Sequence, residues 1–361
     1  MRRLRGLGDR SPAFRRPPQD AEPHARSGRQ GERWDPVSPG LVRAALALVI
    51  TATASWAGGR NPGSLLVYPE FDNLDGRISL LTITNTNTDL VQGSVYVEVV
   101  WLDGTPGSPF LCGETNQTYR LTPNDTLTLL SANANPNAQR GFAYAFAKDV
   151  AGRAIAFDWL IGDTLLIDPV FALDYAVTPL TFSSARPQNQ PTDVDGDGLR
   201  DLDGIEYEAA PDRILVPRFL GQGALATSEL VLISLTGGSQ FTTLVDYLLY
   251  NDNEEVFSRN YTFRCWTKIP LATISSQFSQ TFLSMSNQDV AEIVGYPAQE
   301  SGWFEIDGSL AWSSAAQFFD PAILAFLIET ANARSGAELA FTTGTQTNGA
   351  LFPNGILGDV D

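Results

Sequence analysis

Histidine and lysine are almost absent from this sequence, and their scarcity limits its chemistry. The only histidine is His24, and the only lysines are Lys148 and Lys268. Without histidine after residue 24, the rest of the chain excludes a Ser-His-Asp or Cys-His catalytic arrangement and any histidine-ligated zinc or iron site. No nucleophile elbow, phosphate-binding glycine loop or CxxC motif is present either. The sequence therefore favours a non-catalytic protein, and a carboxylate-based hydrolase is the enzymatic alternative.

Basic residues are also scarce outside the N-terminal segment. Residues 58–361 contain 14 basic and 36 acidic residues, which gives them a formal net charge of −22. Such a surface repels nucleic acid and anionic membranes, and it attracts divalent cations. We therefore expect no nucleic-acid partner. An unknown protein or a polysaccharide at the cell surface is the expected partner, and the sequence leaves the oligomeric state open.

The first 57 residues divide into two segments that precede the fold. Residues 41–57 place Arg43 before an apolar run that ends in small residues, which is typical of a secretory signal peptide. The run is too short for a stable membrane span, although a single N-terminal anchor is the alternative. Residues 1–40 indicate a disordered extension or a start codon assigned too far upstream. We expect an exported protein, extracellular, periplasmic or at the cell surface, with no membrane span in the mature chain.

Short runs of alternating apolar and polar residues make up most of the remaining chain. Val95, Val97 and Val99, for example, alternate with Tyr96 and Glu98, and Gly, Asn, Asp and Pro separate the runs. A period of two at a spacing of roughly ten residues is typical of a Greek-key sandwich. The sequence LLVYPEF at 65–71 has a counterpart, ILVPRF, at 214–219. The pattern predicts an all-β fold of two tandem immunoglobulin-like sandwich domains, arising from an internal duplication or from two unrelated sandwiches.

The same patterns give the domain boundaries. We expect the first sandwich at residues 62–182, a linker with an acidic loop at 183–212, the second sandwich at 213–345 and a C-terminal tail at 346–361. The linker begins with a Pro- and Asn-rich stretch that separates the two predicted domains.

The two cysteines, Cys112 and Cys265, fall one in each half of the chain. In an exported protein such a pair predicts a disulfide, and two buried free thiols are the alternative. The proposed repeat makes the two positions equivalent. A bond between them would therefore join the two sandwiches across a pseudo-twofold interface.

The acidic loop between the halves has the spacing of a calcium site. Asp193, Asp195 and Asp197 stand at alternate positions and are followed by Gly198. Calcium takes six to eight oxygen ligands, which closely spaced carboxylates on a tight loop supply. The further candidate ligands are the Leu199 backbone carbonyl and the side chains of Asp201, Asp203 and Glu206.

The segment 193–203 resembles the D-x-D-x-D-G loops of EF-hands, dockerins and thrombospondin type 3 repeats. The resemblance implies calcium binding, and it covers only about a dozen residues. It departs from the EF-hand pattern at position twelve, where Gly204 replaces the bidentate glutamate. Asp203 or Glu206 is then expected to complete the shell. A solvated acidic linker is the alternative.

The functional expectation is an exported structural or adhesion-type protein that is stabilised by calcium. A carbohydrate-active protein, either a sugar-binding module or a glycoside hydrolase, is the alternative. Trp266, Trp303 and Trp312 are candidates for a sugar-stacking surface, although tryptophans at strand spacing also form cores.

Overall fold

The described part of the chain is built mainly from short antiparallel β-strands, as the alternating pattern predicts. The computed structural model describes residues 61–169, 173–237, 240–251, 254–285, 299–331 and 334–351. The predicted N-terminal extension, the predicted signal peptide and residues 352–361 lie outside the described residues. All described residues belong to one unit, Gly58–Asp361. Within this described part, no helix has the length and apolar character needed to cross a membrane.

The first half forms two antiparallel sheets. Its elements are β1 (Leu65–Asp72), β2 (Ile78–Asn85), β3 (Val95–Asp103), β4 (Glu114–Leu121), β5 (Thr126–Leu130), α1 (Ser131–Ala134), β6 (Arg140–Lys148), β7 (Leu160–Asp168), β8 (Leu173–Val177) and β9 (Leu180–Phe182), with a 3-10 turn at Leu74–Gly76. Sheet I has the strand order β5-β2-β7-β8, and sheet II has the order β4-β3-β6-β1-β9.

The second half forms two similar sheets. Its elements are β10 (Arg200–Leu202), β11 (Arg213–Leu220), β12 (Ala226–Ser234), β13 (Thr242–Asn251), β14 (Val256–Phe263), β15 (Trp266–Pro270), α2 (Leu271–Ile274), α3 (Gln280–Leu283), β16 (Ser301–Trp312), β17 (Gln317–Phe319), β18 (Ile323–Ala331), β19 (Arg334–Leu339), β20 (Phe341–Thr343) and β21 (Gly349–Leu351), with a 3-10 turn at Ser276–Phe278. Sheet III has the order β15-β12-β18-β19. Sheet IV has the order β14-β13-β16-β11-β20, with β17 paired to β16, while β10 pairs with β21.

The two halves share one strand order and one irregularity. Sheets II and IV match strand for strand, and so do sheets I and III. The β1–β6 pairing shifts register after Tyr68, and the β11–β16 pairing shifts after Val216. Pro69 and Pro217 lie in these shifts, where a residue without an N–H is tolerated because the ladder is interrupted. The repeated order and the repeated bulge support an internal duplication.

A serine supports the end of the first strand in each half. The Ser79 hydroxyl accepts from the Asp72 N–H at 2.8 Å and donates to the Asp72 carbonyl at 3.0 Å. Ser228 makes the same pair of bonds with Leu220, at 3.0 and 3.1 Å. One hydroxyl thus satisfies both backbone groups next to the bulge, as buried polar groups require.

The four sheets pack face to face and bury three apolar layers. The first layer, between sheets I and II, includes Tyr68 and Trp101; the middle layer, between sheets II and III, includes Tyr144 and Phe326; the third, between sheets III and IV, includes Tyr247 and Phe304. The predicted all-β class is confirmed, with small antiparallel sheets. The arrangement of the four sheets resembles a four-bladed propeller. It is not clearly that of tandem immunoglobulin-like sandwiches.

Sheet II explains why two separate sandwiches are a poor description. All eight residues of β1 are buried, so this strand has packed neighbours on both faces. The prediction of two separate sandwiches assumes that each sheet keeps one face in water, which holds for most antiparallel sandwiches. Here the second face of sheet II is apolar and is covered by sheet III of the other half.

Cys112 and Cys265 form a disulfide in the middle layer, with their Cα atoms 6.1 Å apart. Cys112 lies between β3 and β4, whereas Cys265 lies between β14 and β15. Because β14 and β15 match β4 and β5, the predicted equivalence of the two cysteines is wrong. The expected pseudo-twofold interface is also wrong, since sheet II packs against sheet III and these two sheets do not match. Unequal loop lengths in the two halves hid this offset in the sequence.

A buried ion pair also crosses the middle layer. Lys268 Nζ of β15 donates to Glu70 Oε1 of β1 at 2.7 Å and to the Tyr175 hydroxyl at 3.0 Å. The Tyr175 hydroxyl donates in turn to Glu70 Oε2 at 2.7 Å. Burial alone would lower the pKa of Lys268, but the Glu70 carboxylate and nearby Glu229 raise it overall. Lys268 therefore remains charged beside Glu70, which is 1% exposed.

Removing the disulfide tests how firmly it joins the halves. The double variant Cys112→Ser/Cys265→Ser is expected to lose on the order of 4–5 kcal/mol of unfolding free energy, because the bond closes a long loop in the unfolded chain. The two cysteines are 153 residues apart. Urea unfolding followed by tryptophan fluorescence gives the free energy. Alkylation of both thiols in the native protein without a reductant would contradict the bond.

Breaking the buried ion pair tests the polar contact between β1 and β15. Lys268→Met leaves the Glu70 carboxylate buried without its cation, and we expect a loss of about 3–5 kcal/mol in urea unfolding. The double variant Glu70→Gln/Lys268→Met removes both charges, so no buried carboxylate is left without a cation. It should therefore recover most of that loss of stability. If the double variant is as unstable as the single one, the ion pair is not the source of the effect.

Candidate metal site

The two ends of the acidic loop meet at a pair of buried side chains beside the middle layer. The hydroxyls of Thr192 and Tyr207 are 3.0 Å apart, and both side chains are fully buried. Leu202 belongs to the middle apolar layer. Within the loop, β10 pairs with β21, where Asp201 lies opposite Ala350. The domain boundaries stay a prediction, but this pairing joins a residue of the predicted linker to one of the predicted tail.

Local hydrogen bonds fold the aspartate run into successive turns. Asp193 Oδ1 accepts from the Gly196 N–H at 2.8 Å, and Asp197 Oδ1 accepts from the Leu199 N–H at 2.7 Å. Aspartate forms such turns because its short side chain reaches a backbone N–H two or three residues ahead. Gly196 has a φ of 82°. This left-handed conformation costs glycine little, so the chain reverses tightly between the aspartates.

The carboxylates of the loop meet in two overlapping groups. The groups are Asp193, Asp195 and Asp197, and Asp195, Asp201 and Glu206; within each, one oxygen from every residue lies within 4.8 Å of the others. Because Asp195 belongs to both groups, a cation beside its carboxylate has oxygens from either group close by. The loop can therefore hold a metal ion.

One predicted carboxylate ligand lies outside both groups, and the predicted carbonyl ligand belongs to a residue that is held in a turn. Asp203 lies in neither carboxylate group, and its Oδ1 accepts from the N–H groups of Ile205 and Glu206 at 2.7 and 3.0 Å. Leu199 donates its N–H to Asp197. The ligand roles of the Leu199 carbonyl and of the carboxylates stay a prediction.

Burial and mutual repulsion raise the pKa values of two loop carboxyls, Asp201 and Glu206. Burial raises the pKa of Asp201 to about 7, and the charges of Asp197 and Glu206 add to the effect. Burial also raises the pKa of Glu206, which is 2% exposed and whose Oε1 accepts from the Val194 N–H at 2.6 Å. A cation would relieve this repulsion, and the all-oxygen donor set suits a hard ion.

Arg200 fixes the loop to sheet II, and sequence reasoning missed it. Its Nη2 donates to the Gly198 carbonyl at 2.9 Å and lies 3.7 Å from Asp193. Its guanidinium lies 5.2 Å from the centre of the Phe146 ring on β6. The side chain thus combines a cation–π contact with support of the turn. An arginine within the acidic run was the available signal, because a basic residue there offsets carboxylate repulsion.

The three candidate tryptophans do not form one surface. Trp266 is buried in the middle layer, where its Nε1 donates to the Pro69 carbonyl at 2.8 Å. It is therefore a core residue that joins the halves. Trp303 and Trp312 lie on β16 and are partly exposed.

Comparison with known proteins identifies no relative. The chain matches no protein family, no curated protein and no solved structure. The resemblance of the acidic loop to known calcium loops is thus a local one.

Neutralising single loop carboxylates tests which of them bind an ion. Asp195→Asn should weaken Ca²⁺ binding at least tenfold, because Asp195 belongs to both carboxylate groups. Asp203→Asn is the matched control, with the same change of charge in the same loop, and should change the affinity less than threefold. Isothermal titration of the metal-free protein gives both values. An equal loss in the two variants would contradict the arrangement around Asp195.

Proposed function

We propose that this protein is an exported, non-catalytic structural or adhesion-type protein, with two immunoglobulin-like halves that calcium stabilises. The observation that carries the proposal is the convergence of loop carboxylates on Asp195, in a segment packed against the layer between the halves. An ion bound there acts on the junction of the two halves, where added rigidity benefits a spacer or an adhesive protein most.

Calcium is the best candidate for the ion. Every side-chain donor in the two groups is a carboxylate oxygen, and the described part of the chain contains no histidine. Soft or borderline metals prefer sulfur or imidazole ligands, whereas calcium accepts many oxygens in flexible geometry. The residues that would hold it are Asp193, Asp195, Asp197, Asp201 and Glu206.

Export is supported by the disulfide between Cys112 and Cys265, because such bonds persist in oxidising compartments. The strong negative charge also suits an environment in which calcium is abundant. At the cell surface, two halves that are joined by a disulfide could act as a stiff spacer or an adhesive unit.

A carbohydrate-active protein is the second candidate, and one observation favours its binding form. A groove on sheet IV contains Glu305 and Asp307 on one strand, and burial raises the pKa of Asp307. A hydrolase needs one protonated and one ionised carboxyl. Here a single guanidinium engages both carboxylates, since Arg213 lies 3.7 Å from Glu305 and 3.6 Å from Asp307. Binding without hydrolysis therefore fits the groove better.

Thermal unfolding with and without calcium tests the proposed role. At a Ca²⁺ concentration of 100 times the dissociation constant, linkage predicts about 2.7 kcal/mol of added stability. We expect a higher melting temperature with Ca²⁺ than with EDTA, and no such increase for Asp195→Asn. Mg²⁺ at the same concentration controls for ionic strength. Identical melting curves with Ca²⁺ and EDTA would remove the calcium hypothesis.

A further inference from the structure

The internal repeat allows the same sheet face to be compared in two environments. Sheets II and IV match strand for strand. The second face of sheet II is covered by sheet III. The matching face of sheet IV, which we call the outer face, carries the two grooves lined by residues of β13, β14 and β16. No other described sheet shares an apolar layer with it.

Side chains on the two faces differ as their environments require. Three apolar positions of sheet II are charged in sheet IV: Leu65 is matched by Arg213, Tyr144 by Glu305 and Phe146 by Asp307. Charged groups remain where water can solvate them and are disfavoured in a packed layer. The outer face is therefore built for solvent rather than for another sheet of this kind.

Aromatic side chains nevertheless persist on the outer face. Tyr250 and Trp303 occupy the positions of Leu102 and Phe142, and their rings stack in parallel with centroids 4.1 Å apart. Trp303 is 38% exposed. Together with Tyr250 it presents an aromatic surface on this face, of the kind that can pack against a ligand.

Both grooves are lined in part by residues of β16, which carries Trp303 near its start and Trp312 at its end. One groove, of about 680 Å³, is lined by Asp246, Arg259 and Asn260 together with the charged residues of β11 and β16. The next, of about 580 Å³, is lined by Leu244, Leu310 and Trp312. A bulge in the β13–β16 pairing keeps Trp312 on the same face as Trp303. Strand geometry separates the two by roughly 25–30 Å, enough for several sugar units.

We infer that the outer face of sheet IV binds a neutral polysaccharide chain. Sugar rings present apolar C–H faces that pack on aromatic rings, and their hydroxyls pair with carboxylates, guanidinium groups and amides. The outer face offers all of these: the rings are those of Trp303 and Trp312, and the larger groove adds carboxylates, two arginines and the Asn260 amide. Two arginines face three acidic groups, so neither a polyanion nor a polycation is favoured. The negative charge of the whole chain also opposes a polyanion.

Affinity electrophoresis in native gels tests this inference without reference to the calcium site. The probes are hydroxyethyl cellulose, xylan, galactomannan and laminarin, with polygalacturonate as an anionic control. We expect at least one neutral polymer to retard the wild-type protein in both Ca²⁺ and EDTA. Trp303→Ala should weaken that retardation at least tenfold. Glu305→Gln, a conservative change, should weaken it severalfold, and it serves if Trp303→Ala fails to fold.

Trp159→Ala is the matched control, because Trp159 lies outside sheet IV and is similarly exposed, at 43%. It should leave retardation unchanged. The inference is overturned if no neutral polymer retards the protein, if polygalacturonate alone does, or if Trp159→Ala loses as much as Trp303→Ala. A second copy of this protein is the alternative occupant of the outer face, and sedimentation without polymer tests for it. The inference is also overturned if the wild type forms a dimer that Trp303→Ala dissociates and no polymer retards the wild type.

Discussion

The burial of sheet II on both faces is the constraint on which the rest of the structure depends. Each apolar face of this sheet has to be covered, and the second half provides the cover that sheet I cannot. Polar groups caught in the middle layer then need partners, since an unpaired one is costly. Glu70 meets Lys268 there, and the Pro69 carbonyl, left free by the bulge, meets Trp266 Nε1. These contacts make the halves interdependent rather than merely adjacent.

Because sheet II is covered on both faces and sheet IV is not, matching faces of these two sheets have different roles. Sheets II and IV have one topology, yet one face is apolar and enclosed while the other is charged and open. At the edge of the enclosed side, Arg200 lies over Phe146 and holds the acidic loop in place. A fold of two matching halves thus carries an ion-binding candidate at its junction and a ligand-binding candidate on the outer face of sheet IV. Neither feature requires the other.

Sequence reasoning reached the local features and missed those that depend on long-range packing. Alternation at Val95, Val97 and Val99 identified strands because a period of two is a local property. The spacing of the aspartates likewise identified the metal candidate before any geometry was known. In contrast, the two-sided burial of β1 and the partnership of Glu70 with Lys268 depend on which sheets meet. The offset of the cysteines in the repeat was hidden by loops of unequal length.

The pairing of β10 with β21 has a consequence for the order in which the chain can fold. β10 precedes its partner strand by about 150 residues, so it leaves the ribosome or the export channel long before that partner. Until the last strand arrives, β10 has no partner strand, although the backbone of Asp201 is already bonded within the loop to Glu206 and Tyr207. A nascent or C-terminally shortened chain would thus carry β10 without its partner, and the acidic loop could take up its final geometry only after synthesis reaches the end of the second half.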